Sequence, residues 1–230
     1  GDPTNCTEMI DIVEYFYENN NDIKIEIHTN GGARNIEFWE RLGLLSKKSN
    51  HKIFVVFSID GLEDTNHLYR RNVKWEKLIE NILSYTKNGG LGIWEYLLFE
   101  HNEDQVYLAE FKSKELGLQK IRFKKPVGFE DYVNNRVVPM GVYDKNGNLE
   151  YIIKPAEDYK NSEYNYVDIS EEIPEKIKLE FIEPLSEMEL LEMYKLFEKN
   201  PVSCKSQKDN GEIEIFISYQ GNVRPCCFIG

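Results

Sequence analysis

The chain has 230 residues, room for one large domain or a medium domain with a smaller appendage. A hydrophobic share of 41% with 13% aromatic residues is enough to bury a substantial core, which excludes disorder of the whole chain. Lys and Arg number 28 against 40 Asp and Glu, and the resulting net charge of −12 has the wrong sign for holding nucleic acid through its phosphates. No stretch reaches the roughly 18 apolar residues of a membrane span, and the first eight residues lack the basic and apolar parts of a signal peptide. The expectation is a soluble, cytoplasmic protein with neither a nucleic-acid nor a membrane partner.

In chain order, 7–20 places Met9, Ile10, Val13, Phe16 and Tyr17 on one helical face, with Thr4 or Asn5 as candidate caps. Residues 23–28 alternate Ile23, Ile25 and Ile27 as a strand that breaks at Thr29-Asn30-Gly31-Gly32, and 36–45 reads as a short helix. The unbroken run Ile53-Phe54-Val55-Val56-Phe57 is the mark of a strand covered on both faces in a parallel sheet, and it ends in Ser58-Ile59-Asp60-Gly61. A helix over 75–87 stops at Asn88-Gly89-Gly90. A strand over 93–99 runs into Glu100-His101-Asn102, a helix over 105–116 stops at Gly117, and 120–123 is the next strand, followed by Lys124-Lys125-Pro126.

Such alternation means parallel strands joined by right-handed helical crossovers, as an open doubly wound sheet or a full or partial barrel. In both, chemistry gathers at the carboxyl ends of strands, and each of these strands ends in polar or glycine-rich residues. After Phe129 the pattern changes. Asn146-Gly147 favours a two-residue type I′ hairpin turn, and 157–183 is acidic and reads as surface loop with short strands. Residues 186–198 form an amphipathic helix capped by Ser186, and 213–219 with 223–229 flank a tight hairpin at Gln220-Gly221-Asn222.

The four cysteines, Cys6, Cys204, Cys226 and Cys227, are too few for a disulfide framework and raise instead the question of metal or cluster ligation. A hairpin strand ending in Cys226-Cys227 turns adjacent side chains to opposite faces, so only one of the two would ligate a given centre, with Cys204 across from it. Cys6 lacks any ligand spacing and reads as a buried helix-start residue. The histidines His28, His51, His67 and His101 form no zinc signature, and there is no phosphate-cradling loop, nucleophile elbow or dinucleotide fingerprint.

The order Gly1-Asp2-Pro3, then His28-Thr29-Asn30-Gly31-Gly32, then Phe57-Ser58-Ile59-Asp60-Gly61 with His67 and Arg70-Arg71 downstream, then Phe99-Glu100-His101-Asn102, resembles radical SAM enzymes. Cys204, sixteen residues, Gly221, four residues and Cys226 resemble the start of a twitch or SPASM extension, with the Cys-to-Gly interval one residue longer than is usual there. The likeness covers about 1–126 and 200–230. The CxxxCxxC motif of the radical-generating cluster is missing, so the chain is expected to begin after the first strand, the cluster loop and most of the second strand, with both ends cut.

The resemblance implies an α/β fold: a partial (β/α) barrel of parallel strands over 1–128, an insertion or linker with short strands over 129–185, and over 186–230 the start of a small α+β auxiliary-cluster extension with a β-hairpin. It implies binding of S-adenosylmethionine (SAM) and a 4Fe-4S cluster, formation of a 5′-deoxyadenosyl radical and hydrogen abstraction from a substrate, with a peptide or protein as the first expectation and a flavodoxin or ferredoxin as reductant. The SAM ligands would be Gly1, Asp2, Thr29, Asn30, Ser58, Asp60 and Arg70, and the metal ligands Cys204 and Cys226. The chemistry suits the ligand: an ammonium calls for carbonyls or a carboxylate at Gly1-Asp2, a carboxylate for the planar fork of Arg70, and ribose hydroxyls for Ser58 or Asp60, the latter alternatively orienting Arg70. Each also has a plain structural role: Asp60-Gly61 and Asn30-Gly31 as turns, Arg70 paired with Glu63 or Asp64 at the surface. By itself the chain is expected not to generate the radical. The competing class is a non-enzymatic α/β partner-binding or scaffold module with structural cysteines, and an upstream Cys-x-x-x-Cys-x-x-Cys in the coding region separates the two.

Overall fold

The computed structural model describes residues 1–20, 22–129 and 136–157, together with the backbone of 130–131, 166–168, 216–217 and 223–224. A 3-10 turn (Pro3–Asn5) leads into α1 (Met9–Asn19), β1 (Ile25–Thr29), α2 (Ile36–Lys48), β2 (Ile53–Ser58), the single turn α3 (Asn66–Tyr69), α4 (Trp75–Lys87) and β3 (Gly92–Leu97). A second 3-10 turn (Glu103–Gln105) continues into α5 (Val106–Glu115), followed by β4 (Lys120–Lys124). Then come the short pair β5 (Glu130–Asp131) and β6 (Arg136–Val137), the hairpin β7 (Met140–Tyr143) and β8 (Leu149–Ile153), β9 (Tyr166–Asp168), and the pair β10 (Phe216–Ile217) and β11 (Val223–Arg224).

Strands β1 to β4 are parallel and lie side by side in sequence order, with β9 added antiparallel beyond β4. This order decides between the two architectures open to an alternating chain. A doubly wound sheet reverses its strand order at a switch point and so places helices on both faces. Here the order never reverses, and right-handed crossovers put α2, α4 and α5 on one face. The core confirms it: Val13 of α1, Trp39 and Leu42 of α2, Leu78 and Tyr85 of α4 and Ala109 of α5 pack with Ile27, Val55, Phe57, Trp94, Tyr96 and Ile121 of the sheet in one cluster. The other face carries its own apolar floor, Phe54, Val56, Leu91 and Ile93. The fold is α/β, a partial (β/α) barrel, with β7 and β8 as a separate antiparallel hairpin.

Local chemistry explains the element bounds. Asn35 caps α2 by accepting from the backbone N–H of Phe38, and Gly89 at φ 86° ends α4. Mid-helix Gly43 costs α2 stability, yet a Cβ there would lie 2.4 Å from the Tyr85 carbonyl oxygen, so its absence is what allows α2 and α4 to approach.

Two local expectations fail. Neither Thr4 nor Asn5 caps α1: both belong to the 3-10 turn, and Glu8, the residue before the helix, makes no side-chain cap. The Asn-Gly pair forms no two-residue turn. Asp144 accepts from the N–H groups of Asn146 and Asn148, both at 2.8 Å, and holds a five-residue loop in which only Gly147, at φ 84°, is left-handed. The expected helix over 186–198 lies outside the described residues.

Candidate functional site

The carboxyl ends of β1 and β2 are adjacent, and the register Thr29↔Phe57 brings Asn30 and Ser58 to the same edge. Asp2 closes this edge. Its Oδ1 accepts from Thr4 N–H (3.0 Å) and the Thr4 hydroxyl (2.6 Å), the Thr29 hydroxyl lies 2.9 Å from both carboxylate oxygens, and Asn30 N–H donates to Oδ2 at 2.8 Å. Arg34, left-handed at φ 69°, donates Nε to the Thr4 carbonyl and Nη2 to the Cys6 carbonyl. Asp2, Thr29 and Asn30 therefore form one unit, while Gly1 is exposed.

A second unit centres on Asp60. Its side chain is fully buried; Oδ2 accepts from Arg70 Nε at 2.5 Å and Oδ1 from Leu97 N–H at 2.7 Å. Its backbone is held too, the N–H donating to Asn66 Oδ1 (2.9 Å) and the carbonyl accepting from Asn102 Nδ2 (3.0 Å). Burial pushes the Asp60 carboxyl up to about 6, against the opposing pull of the Arg70 charge and the Leu97 N–H. With both oxygens taken, Asp60 orients Arg70. The surface pairing of Arg70 with Glu63 or Asp64 is not what forms. Arg70 spends only Nε on this pair, and its terminal nitrogens have no hydrogen-bond partner among the described residues.

The loop that carries Arg70 continues into a cleft of about 180 Å³, where Arg71, Asn72 and Val73 face Asp2, Asn30 and Gly32. Asn72 is left-handed at φ 67°, and a Cβ on Gly32 would meet Val73 at 3.1 Å and Asn30 Oδ1 at 3.3 Å. The cleft thus links the loop after β2 to the Asp2 unit. Arg71 is tied to the hairpin, to Glu150 at 2.5 Å and to the Tyr143 carbonyl at 3.0 Å. Ser58 and Arg70 do not line it.

The sheet face opposite the helices carries charges that sequence reading passed over. Glu95, next to Ser58 in the β2–β3 register, pairs with Lys124 at 2.6 Å. Glu26 pairs with His28 at 2.9 Å and approaches Arg122 at 3.9 Å. Burial alone would raise the Glu26 carboxyl, but its bond to His28 and the charges of His28, Arg122 and Lys124 outweigh that and hold it below its usual value. The available signal was period-two charge inside strands whose other residues are apolar: Glu95 between Trp94 and Tyr96, Arg122 between Ile121 and Phe123.

Among the described residues no group of three His, Cys, Asp or Glu side chains could hold a metal ion, and no helix is long and apolar enough to cross a membrane. Cys6 is buried in the core, as expected, and its thiol donates to a Glu8 carboxylate oxygen at 3.8 Å. Cys204, Cys226 and Cys227 lie outside the described residues. His101 stacks on Phe99 at 5.2 Å, and burial lowers its basicity.

No protein-family model matches the chain, and a search of curated proteins returns no match. Among solved structures, that of TYW1, a radical SAM enzyme, with a lysine-pyruvate adduct bound, is similar with 12% identity and a TM-score of 0.40, over 69% of this chain and 55% of that one. The chain therefore spans little more than half the length of that protein.

Proposed function

We propose that this chain is the SAM-binding part of a radical SAM enzyme, the carboxyl edge of β1 and β2 being the binding site. The observation that carries the reading is the Asp60–Arg70 pair: a buried carboxylate fixes a guanidinium by one nitrogen and leaves the two that form a bidentate fork for a ligand carboxylate. Arg70 would clasp the SAM carboxylate, carbonyls near Gly1-Asp2 would accept from its ammonium, and Ser58 would meet a ribose hydroxyl. Thr29 and Asn30 hold Asp2 in place.

With a 4Fe-4S cluster, one electron from the cluster would cleave bound SAM to methionine and a 5′-deoxyadenosyl radical able to take a hydrogen atom from a substrate. The cluster's fit rests on cysteines outside the described residues, Cys204 and Cys226 for an auxiliary centre, and no step is derived through it. The chain's own part is to orient SAM and exclude water. The Glu95–Lys124 and Glu26–His28 pairs give the helix-free face both signs of charge, which suits a substrate carrying ammonium and carboxylate groups, such as a peptide.

The test is calorimetric titration of the chain with SAM and with decarboxylated SAM. Saturable SAM binding is expected, with Arg70→Ala weakening it about tenfold or more, a loss in the range for one charged hydrogen bond, and leaving decarboxylated SAM unaffected. Absence of saturable binding, or equal loss for both ligands, overturns the reading.

A further inference from the structure

Helix α5 is built the wrong way round for a surface helix. Helices α1, α2 and α4 bury most of their large apolar residues, with Tyr15 on α1 and Leu44 on α2 as single exposed exceptions, whereas α5 turns Ala109 and Ser113 inward and leaves Tyr107, Leu108 and Phe111 at 77%, 55% and 65% exposure. Single exposed apolar side chains are ordinary; three adjacent ones on one helical face form a patch. Asp104 and Lys114, also exposed, extend the same stripe at either end.

The stripe is self-complementary. Asp104 and Lys114 stand equally far from Ala109 along the chain, as do Tyr107 and Phe111. A two-fold axis level with Ala109, on the opposite and exposed side of the helix, therefore sets Asp104 of one copy against Lys114 of the other and Tyr107 against Phe111, each contact made twice. Antiparallel helices also oppose their dipoles. Neighbouring charges are already engaged, Lys112 with Glu115 at 2.9 Å and Glu103 with the N–H of Glu157 at 2.8 Å, while Asp104 and Lys114 form no ion pair among the described residues.

We propose that α5 is a self-association surface, which pairs two copies of this chain as antiparallel helices through Tyr107, Leu108 and Phe111, with the Asp104–Lys114 contacts setting the direction. One helix face buries well under the ~800 Å² per partner of a stable complex, so the dimer is weak, with a dissociation constant on the order of 100 μM.

Sedimentation velocity over a wide concentration range tests this. The unmodified chain should dimerise, and Phe111→Ser should abolish the dimer. Asp104→Lys or Lys114→Asp, each of which sets like charges opposite each other twice, should weaken it about tenfold, and the two together should restore it to within about threefold. All positions are exposed, so the circular dichroism spectrum should not change; should Phe111→Ser unfold the chain, the charge pair carries the test. A chain monomeric throughout, a dimer equally strong in every variant, a double variant as weak as the singles, or a monomer whose Tyr107 and Phe111 resist hydroxyl-radical labelling, as when another segment of the chain covers them, overturns the proposal.

Discussion

Arg122, on the fourth strand, brings a guanidinium nitrogen to 3.9 Å from a carboxylate oxygen of Glu26, on the first. Laid flat, β1 and β4 would stand three strand spacings apart, about 14 Å. The two side chains meet because the sheet bows toward the face that has no helices, and the pair is a chord across the concave side of a partial barrel. The charges of this side lie above the apolar floor of Phe54, Val56 and Ile93, and the helices hold the curvature from outside.

The chord should be measurable as a coupling. The Arg122 side chain is 5% exposed, so Arg122→Met leaves Glu26 with His28 and the charge of Lys124 alone and should destabilise the chain by about 2–4 kcal/mol. Adding Glu26→Gln should recover part of that loss, since an uncompensated carboxylate is what makes the single variant costly. Urea unfolding of the four members of the cycle checks it, and strictly additive effects would sink the coupling.

The sequence revealed this fold at the level of elements because hydrophobic period is local. Residues 75–87 as a helix match α4, and Ile53 to Phe57 as a doubly covered strand match all but the last residue of β2. It did not reveal the direction of winding, since helices on one face and on two give the same alternation of elements; the strand order 1-2-3-4 decides that. At the site, Thr29 and Asn30 were readable as strand-end polar residues and Asp2 only through the resemblance, and the three do come together. Glu95 and Arg122 were not, because a charge inside an apolar strand is explained only by a partner on another strand. The Asn-Gly turn misled because Asp144, two residues before Asn146, competes for the same backbone N–H groups.

Asp60 gives the molecule a defined pH response. Its folded-state value, about 6, stands above the ordinary 3.8, so the stability it contributes is full below pH ~4 and is lost as pH rises through about 6. The change is about 3 kcal/mol. The unfolding free energy of the unmodified chain, less that of Asp60→Asn, should therefore fall by that order between pH 4 and 7. A flat difference would show that Arg70 and Leu97 fully compensate burial. Below pH 6 the protonated carboxyl also loosens its hold on Arg70, so binding that depends on the guanidinium should weaken there in the unmodified chain.

Asn102 ties the same node to the end of β3. Fully buried, it donates to the carbonyls of Asp60 and Leu97, both at 3.0 Å, and accepts from Phe99 N–H at 2.7 Å. Asn102→Ala leaves three backbone groups unpaired in the interior and should cost about 2–4 kcal/mol in urea unfolding. Asn102→Asp keeps the acceptor for Phe99 but brings a second carboxyl beside Asp60, so its penalty should shrink as pH falls. A penalty independent of pH would mean that the two carboxyls do not sense each other.

The close approach of α2 and α4 predicts an intolerant position. Gly43→Ala adds one methyl, favourable by helix propensity by about 1 kcal/mol, yet the nearest atom is backbone, the Tyr85 carbonyl oxygen at 2.4 Å, and cannot swing aside. The helices must separate, which loosens Trp39, Phe57 and Tyr85, whose rings pack within 5.6 to 6.3 Å of one another. A net loss of about 1–3 kcal/mol is expected. Thermal unfolding checks it, and a stabilised variant would mean that the helix contact is looser than this geometry requires.

Asp2 fastens the N-terminal turn to the end of β1, and Cys6 reports on the clasp. The cysteine is 2% exposed and its carbonyl is held by Arg34, so a thiol reagent reaches it only when the turn opens. Asp2→Ala deletes the acceptor of Thr4, Thr29 and Asn30 at once, worth about 1–3 kcal/mol for a part-buried carboxylate. Because that free energy resists local opening, labelling of Cys6, followed peptide by peptide in mass spectrometry, should quicken by about tenfold or more while urea unfolding of the whole chain shifts less. Asp2→Asn keeps one acceptor oxygen and should fall between. If Cys6 labels at the same rate in all three chains, the carboxylate is not what holds the turn, and Arg34, through its grip on the Thr4 and Cys6 carbonyls, carries that duty instead.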